Sequence, residues 1–512
     1  MADAFNSLAK SNDGDILDLL NTCLSELAGE LSPSQISRIR DMKKQWDFYE
    51  GYHYEDIDTP DKIQVTKNYI RPFVNKFVSF ELGHGFKINV DPKDKMKDLK
   101  QNQLEYIEKV WEKSNRDQLL IEMGQSKSIT GDAWLQVKYY EEEDPFSDSK
   151  EGYVRVMCVP THIVFPEYDP YDYTKLVRLV IAYPIEKTQK GNMLIRKEKT
   201  KRVIYKQVWT KDNVSIYEGG ELIESIPNSY GIIPFVQIKN FPIAGRSYGS
   251  GDIDDLIPIN MEIDLKTSDV SEIIDYHASP VTVVYGAKIS NLERGANKIW
   301  GGLPKDSKVE NLTMGTDLAT SNNYISELKN SMHDIGSLPV GALGGQQAIS
   351  NTSGVALQFI YSPLIDRTST KRGITEKGLE QTNKIILKIS EAHKLISRPD
   401  SVSKEDWYDN KVTIPDNLPK DELIELQKLQ QELTMGIESK KGACRRTNKD
   451  YDVVQGEIDE QKQKDFESAQ KYNIPQGGNL GNQPQLNSGM TNGNTPIEEV
   501  RKEITGSNGM NK

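Results

Sequence analysis

Three aspartates in the stretch YGSGDIDD, residues 248–255, are the first candidates for chemistry. Asp252, Asp254 and Asp255 stand beside glycines that could wrap a phosphate or a cation. With Mg²⁺, such carboxylates could serve a nuclease. A nuclease, however, gathers its carboxylates from separate elements around the metals, and these are almost consecutive. They precede a helical run, where acidic side chains offset the positive end of the helix dipole. The six histidines, His53, His84, His162, His277, His333 and His393, are scattered with no ligand spacing between any two. The three cysteines, Cys23, Cys158 and Cys444, form no CxxC pair. That argues against a disulfide framework and a zinc ribbon, and suits a reducing compartment. The motifs GxxxxGK[ST], HExxH and GxSxG are absent. The expectation is a protein without catalysis, cofactor or metal.

Composition narrows the class. A chain of 512 residues is too long for one core, which implies roughly two to four domains. Its 76 acidic against 64 basic residues leave a net charge of -12. A tight duplex-DNA binder clusters Lys and Arg to neutralise phosphates, so this chain reads at most as a surface along which DNA passes weakly held. No basic-then-apolar leader opens MADAFNSLAKSNDGD, and no run approaches the ~18 apolar residues that cross a bilayer. The expectation is a soluble protein that stays in the cytoplasm where it is made.

The elements that must position these residues come next. Residues 14–50 read as helices, the first with Ile16, Leu19, Leu20, Leu24 and Leu27 at helical spacing. The second starts at SPSQISRIR, with Ser32 as N-cap and Pro33 at the first helical position. Trp46, Phe48, Tyr49, Tyr52 and Tyr54 follow; they read as a helix end packed on a domain wall, or as a nucleobase-stacking patch that Asp47, Glu50, Glu55 and Asp56 speak against. A helix ending near Gly83 and a strand occupy 65–90. After one more helix, alternating strands dominate up to residue 240, including a hairpin turning at Gly219-Gly220. Beyond 250 the chain reads as helix, a small turn-rich β insert over 281–313, a second helix with Ile325, Leu328, Met332 and Ile335 on one stripe, then a long helix. Two helices joined through a compact insert form an antiparallel hairpin with a knob at its tip. Their narrow apolar stripes call for neighbours, which copies of the same hairpin in a closed ring would supply.

Between the second helix and the long helix, residues 335–365 carry no Asp, Glu, Lys or Arg. In a chain with 27% charged residues, such a neutral, glycine-rich stretch needs a reason.

The order of motifs from about residue 40 to 470 resembles bacteriophage portal proteins, in particular those of tailed phages of Gram-positive hosts. FYEGYHYEDI followed by KNYIRPFVNKFVSFELGHGFKINV is similar to the family's N-terminal signature, and GDAWLQVKYY and VPTHIVFPEYD to its wing strands. YGIIPFVQIKNFPIAGRSYGSGDIDDLIPINMEIDLKTSDVSEIIDYHASPVTVVYG resembles the stretch running through the first stem helix to the clip. MHDIGSLPVGALGGQQAISNTSGVALQFIYSPL resembles the tunnel loop, and TMGIESKKGACRRTNKDYDVVQGEIDEQKQKD the crown.

The resemblance implies an α+β, mostly helical portal fold with wing, stem, clip and crown, assembled as a ring around a central channel. After an N-terminal helical segment (1–39) come the wing (40–250), stem helix 1 (251–278), the clip (279–319) and stem helix 2 (320–337). The tunnel loop (338–355), a long helix (356–399), the crown (400–474) and a disordered Gln/Asn/Gly-rich tail (475–512) complete the chain. It further implies a homo-oligomer, usually a dodecamer, at one capsid vertex, formed in the host cytoplasm and ending in the virion. Its partners would be the terminase large subunit, a head–tail adaptor, the major capsid or scaffold protein, and transient, non-specific double-stranded DNA, with no membrane.

On this resemblance the neutral stretch lines the channel with Gln346, Gln347, Ser350, Asn351, Thr352 and Ser353, while Gly341, Gly344, Gly345 and Gly354 let the loop shift. The clip residues Lys288, Arg294, Lys298, Lys305 and Lys308 would face DNA, the motor or an adaptor. Another head–tail adaptor or minor capsid protein is the alternative reading.

Overall fold

A computed structural model describes residues 32–54, 63–89, 101–143, 150–189, 199–278, 281–285, 306–312, 318–344, 354–415, 422–446 and 451–472. The helix expected over 14–30 and the tail expected after 475 lie outside these residues. About 53% helix stands against 24% strand, a mixed α and β architecture.

Helix α1 (Pro33–Glu50) starts as its sequence dictates. The Ser32 side chain accepts from the Gln35 backbone N–H, Gln35 answers on the Ser32 N–H at 2.9 Å, and Pro33 fills the first turn. Gly51 ends the helix in the left-handed region. Helix α2 (Ile70–Leu82) buries Phe73, Val74, Phe77 and Val78, and stops at Gly83 before strand β1 (Lys87–Asn89). Helices α3 (Gln101–Lys113) and α4 (Arg116–Thr130) follow; the second half of α4 is buried almost all round.

Strands β2 (Asp132–Glu143) and β3 (Lys150–Val159) form a long antiparallel pair. The next five strands, β4 (Val164–Asp169), β5 (Asp172–Gln189), β6 (Lys199–Thr210), β7 (Asn213–Glu218) and β8 (Glu221–Pro227), make a sequential antiparallel sheet. The expected hairpin is β7–β8, with Gly219 and Gly220 both at positive φ (57° and 86°), the conformation that a two-residue primed turn demands. Strand β9 (Phe235–Lys239) completes the three-stranded sheet β3-β2-β9, and the short β10 (Phe241–Pro242) and β11 (Gly249–Ser250) pair beside it.

Helix α5 (Ile257–Ala278) leads into β12 (Val281–Tyr285), which pairs antiparallel with β13 (Lys308–Leu312) before helix α6 (Leu318–Ile335) returns along α5. This is the hairpin with a β insert that the sequence predicts. A 39-residue helix, α7 (Gly354–Ala392), then packs on β9, β2 and α2. It contains Pro363, which removes one helical hydrogen bond. Helix α8 (Lys404–Tyr408) buries Trp407, and β14 (Lys411–Thr413) pairs with β1. Residues 404–414, which the resemblance groups with the crown, thus contribute Trp407, Val412 and Ile414 to the core built on the three-stranded sheet.

The chain divides into two units, up to Pro419 and from Lys420. The first holds three apolar clusters: around β2, β3 and α7, within the five-stranded sheet, and around α2, α5 and α6. The second contains α9 (Glu422–Thr434), α10 (Lys440–Arg446) and α11 (Tyr451–Tyr472).

Candidate functional site

Asp252 lies in the turn before α5, five residues ahead of its first helical residue rather than on it. A crossing of two chain segments puts it there. Gly131, at φ 86°, passes so close to Gly249 that a Cβ at Gly131 would stand 2.4 Å from the Gly249 carbonyl oxygen. The Asp252 N–H then donates to the Ser128 carbonyl at 2.7 Å. The carboxylate enters a buried pocket between helices and meets Lys371 Nζ (2.7 Å), Arg367 Nη2 (2.9 Å) and Ser128 Oγ (2.6 Å). Lys371 also reaches Glu81 at 3.3 Å; Glu81 in turn pairs with Lys127, and Lys127 donates to Thr375 Oγ1 at 2.6 Å.

The spacings explain how three helices converge here. Arg367, Lys371 and Thr375 recur every four residues on α7, and Phe77 and Glu81 do so on α2, so each set shares one helix face. The Arg367 guanidinium lies 5.2 Å from the Phe77 ring and 4.9 Å from the Phe241 ring, a flat cation held between aromatic faces. Burial by itself would raise the Asp252 carboxyl, but Lys371 and Arg367 hold it down to about 2. Burial likewise opposes charge on Glu81, and the two lysine ammoniums overcome it and keep Glu81 below the usual carboxylate range.

A second polar array binds α5 to the segment ahead of α2. The N–H groups of Val65, Lys67 and Tyr69 donate to Ser268 Oγ (3.0 Å), Asp264 Oδ1 (2.7 Å) and Asn260 Oδ1 (3.0 Å). Alternate N–H groups of this segment thus meet side chains four residues apart, which lie in one row on the face of α5. His53, stacked on Phe48, pairs through Nδ1 with the other Asp264 oxygen, while its Nε2 lies 3.0 Å from the Phe48 carbonyl oxygen. Most of the aromatic run packs, as the domain-wall reading expected: Phe48 is buried, Tyr54 contacts Ser268 at 3.0 Å, and Tyr49 donates to Asn75 at 3.2 Å, while Tyr52 stays exposed.

At the far end of α6 the neutral stretch begins by docking. Leu338 is buried in the cluster around α2, and its carbonyl lies 2.8 Å from His333 Nδ1. A 3₁₀ turn over Val340–Leu343 contains Gly341, buries Ala342 and ends at Gly344, whose φ is 82°. Gly354 is the first residue of α7. Gly345, Gln346, Gln347, Ser350, Asn351, Thr352 and Ser353 lie outside the described residues, as do Lys288, Arg294, Lys298 and Lys305. Lys308 is exposed on β13, 3.0 Å from Glu310.

The three aspartates do not form a metal set. Asp252 is occupied by cations and a hydroxyl, Asp254 accepts from Gln45 Nε2 (2.6 Å) and the Gly251 N–H (2.9 Å), and Asp255 is exposed. Among the described residues no group of three His, Cys, Asp or Glu side chains could hold a metal ion, and no helix is long and apolar enough to cross a membrane. Glu81, Lys127, Lys371, His53 and Asp264 were not singled out from sequence. The legible signal was polar side chains recurring at four-residue spacing, Asn260, Asp264 and Ser268 on α5 and Arg367, Lys371 and Thr375 on α7.

These arrays position rather than react. Both clamp the root of a helical hairpin to an α/β body. The chain belongs to the family described as phage portal protein, SPP1 Gp6-like, matching it over residues 30–495. No curated protein matched the chain. Portal proteins are structural components of the virion, oligomeric rings associated with a capsid vertex.

Proposed function

We propose that copies of this chain close into a ring, a dodecamer in its usual form, through which double-stranded DNA enters and leaves the capsid of a tailed phage of a Gram-positive host. The terminase large subunit docks on the ring during packaging and a head–tail adaptor replaces it. Major capsid or scaffold protein surrounds it, and the ring itself catalyses nothing. The wing is 40–250, the stem 251–278 with 320–337, the clip 279–319, the tunnel loop 338–355 and the crown 400–474.

The observation that carries this reading is the α5–α6 hairpin. It is clamped at its root by buried polar groups, yet it leaves Leu265, Ile274 and Tyr324 exposed along its length. A hairpin anchored so firmly and covered so little is suited to packing against identical neighbours. The neutral loop between α6 and α7 fits a channel lining: lysines or arginines would add a phosphate contact in every subunit, and acids would repel the polyanion. Gly341, Gly344, Gly345 and Gly354 then serve as its hinges, and Lys288, Arg294, Lys298, Lys305 and Lys308 as the basic face of the clip.

Electron microscopy of the purified full-length protein, classified for rotational symmetry, tests the proposal. The expected particle is a closed ring with a central hole wide enough for duplex DNA. A compact monomer without a channel under capsid-assembly conditions would overturn it.

A further inference from the structure

The two edges of the five-stranded sheet are treated differently. At one edge the Gln35 side-chain amide of α1 donates to the Pro166 carbonyl of β4 at 3.5 Å, and Ile39 of α1 packs in one cluster with Val164 and Phe165. Helix α1 thus covers β4. At the other edge all seven residues of β8 are exposed, with Leu222 (56%), Ile223 (57%) and Ile226 (44%) among them. Among the described residues β8 pairs with β7 on one side and with no strand on the other.

A bare edge is a template for another strand, which sheets usually blunt with lysines, proline, a bulge or a covering element. Strand β8 ends at Pro227 and gains one extra residue, Ile223, where its register to β7 shifts. Neither closes the edge. The Asn228 N–H donates to the Asp212 carbonyl at 2.9 Å, and bonded and non-bonded pairs alternate along an antiparallel ladder. The pairs Pro227–Asn213 and Ser225–Ser215 are therefore non-bonded. Pro227 has no N–H to lose there, whereas the Ser225 N–H and C=O both face away from β7.

Charge states what kind of strand fits. Strand β8, ELIESIP, carries two exposed glutamates, Glu221 and Glu224, and no basic residue. A second β8 would bring glutamates against glutamates across the seam, and facing like charges destabilise a strand pair. We infer that β8 accepts an extended segment of a partner protein in which apolar residues alternate with lysine or arginine. Main-chain hydrogen bonds from groups such as those of Ser225 hold the added strand. Cations opposite Glu221 and Glu224 select it, and its apolar side chains cover Leu222, Ile223 and Ile226. The contact uses a sheet edge and not the α5–α6 hairpin, so it stands independently of the ring reading.

The test titrates the full-length protein with a fluorescent, end-capped octapeptide of alternating lysine and valine, and with its glutamate–valine counterpart. The lysine peptide should bind, and amide exchange over 221–227, read by mass spectrometry, should slow when it does. Glu221→Lys with Glu224→Lys should weaken that binding about tenfold and strengthen binding of the glutamate peptide by a similar factor. No binding of the lysine peptide overturns the inference. Binding that leaves exchange over 221–227 unchanged also overturns it, since that is attraction to an acidic chain at large. Protection of 221–227 that rises with protein concentration alone would make the occupant a second copy, and overturns it too.

Discussion

Asp252 keeps its charge where burial should strip it, because three partners converge on its two oxygens. Its folded carboxyl is held at about 2, against an ordinary 3.8. A carboxyl depressed in this way stabilises the fold at pH above about 4, and the contribution is lost as pH falls from there toward 2. At neutral pH the shift corresponds to about 2 kcal/mol. Asp252→Asn leaves Lys371 and Arg367 facing a neutral group and should cost about 3–5 kcal/mol. Urea unfolding followed by fluorescence of the buried Trp111, Trp134 and Trp407 measures it, and a loss below about 1 kcal/mol would show that the cations find other partners.

At the scale of elements, the register between residues 65–69 and α5 positions the base of the α5–α6 hairpin. Each bond is a backbone donor meeting a short side chain on a helix, worth about 1 kcal/mol singly. Removing Ser268 Oγ with Ser268→Ala should therefore speed amide hydrogen exchange at Val65 while Tyr69, held by Asn260, stays protected. Equal exchange at Val65 in both proteins would mean that packing, not the hydroxyl, fixes the segment ahead of α2. The helices here were legible from sequence at some of their ends: Ser32 and Pro33 start α1, and Gly83 follows α2. The docking of that segment was not legible, because alternate backbone N–H groups leave no trace in side-chain type.

For the whole molecule, the neutral stretch between α6 and α7 is where the ring would meet its cargo. Its first residues are described as far as Gly344, and that part is docked through Leu338 and Ala342. Gln346→Lys with Gln347→Lys adds two cations per subunit and should slow DNA packaging or ejection in a motor assay while rings still form. Packaging at the wild-type rate would remove this stretch from the channel lining.

By itself the sequence determined the elements and their order: the capped helices, the Gly219-Gly220 hairpin, the antiparallel α5–α6 pair and the absence of familiar catalytic motifs. These depend on periodicity and turn chemistry, which neighbours along the chain dictate. Only the tertiary structure decided what the charged residues do. Asp252 and Lys371 are 119 residues apart, and Asp252 reads as a helix-start acid until Gly131 and Gly249 cross beside it. A buried charge is explained by whichever side chain faces it, and that partner is set by how helices pack.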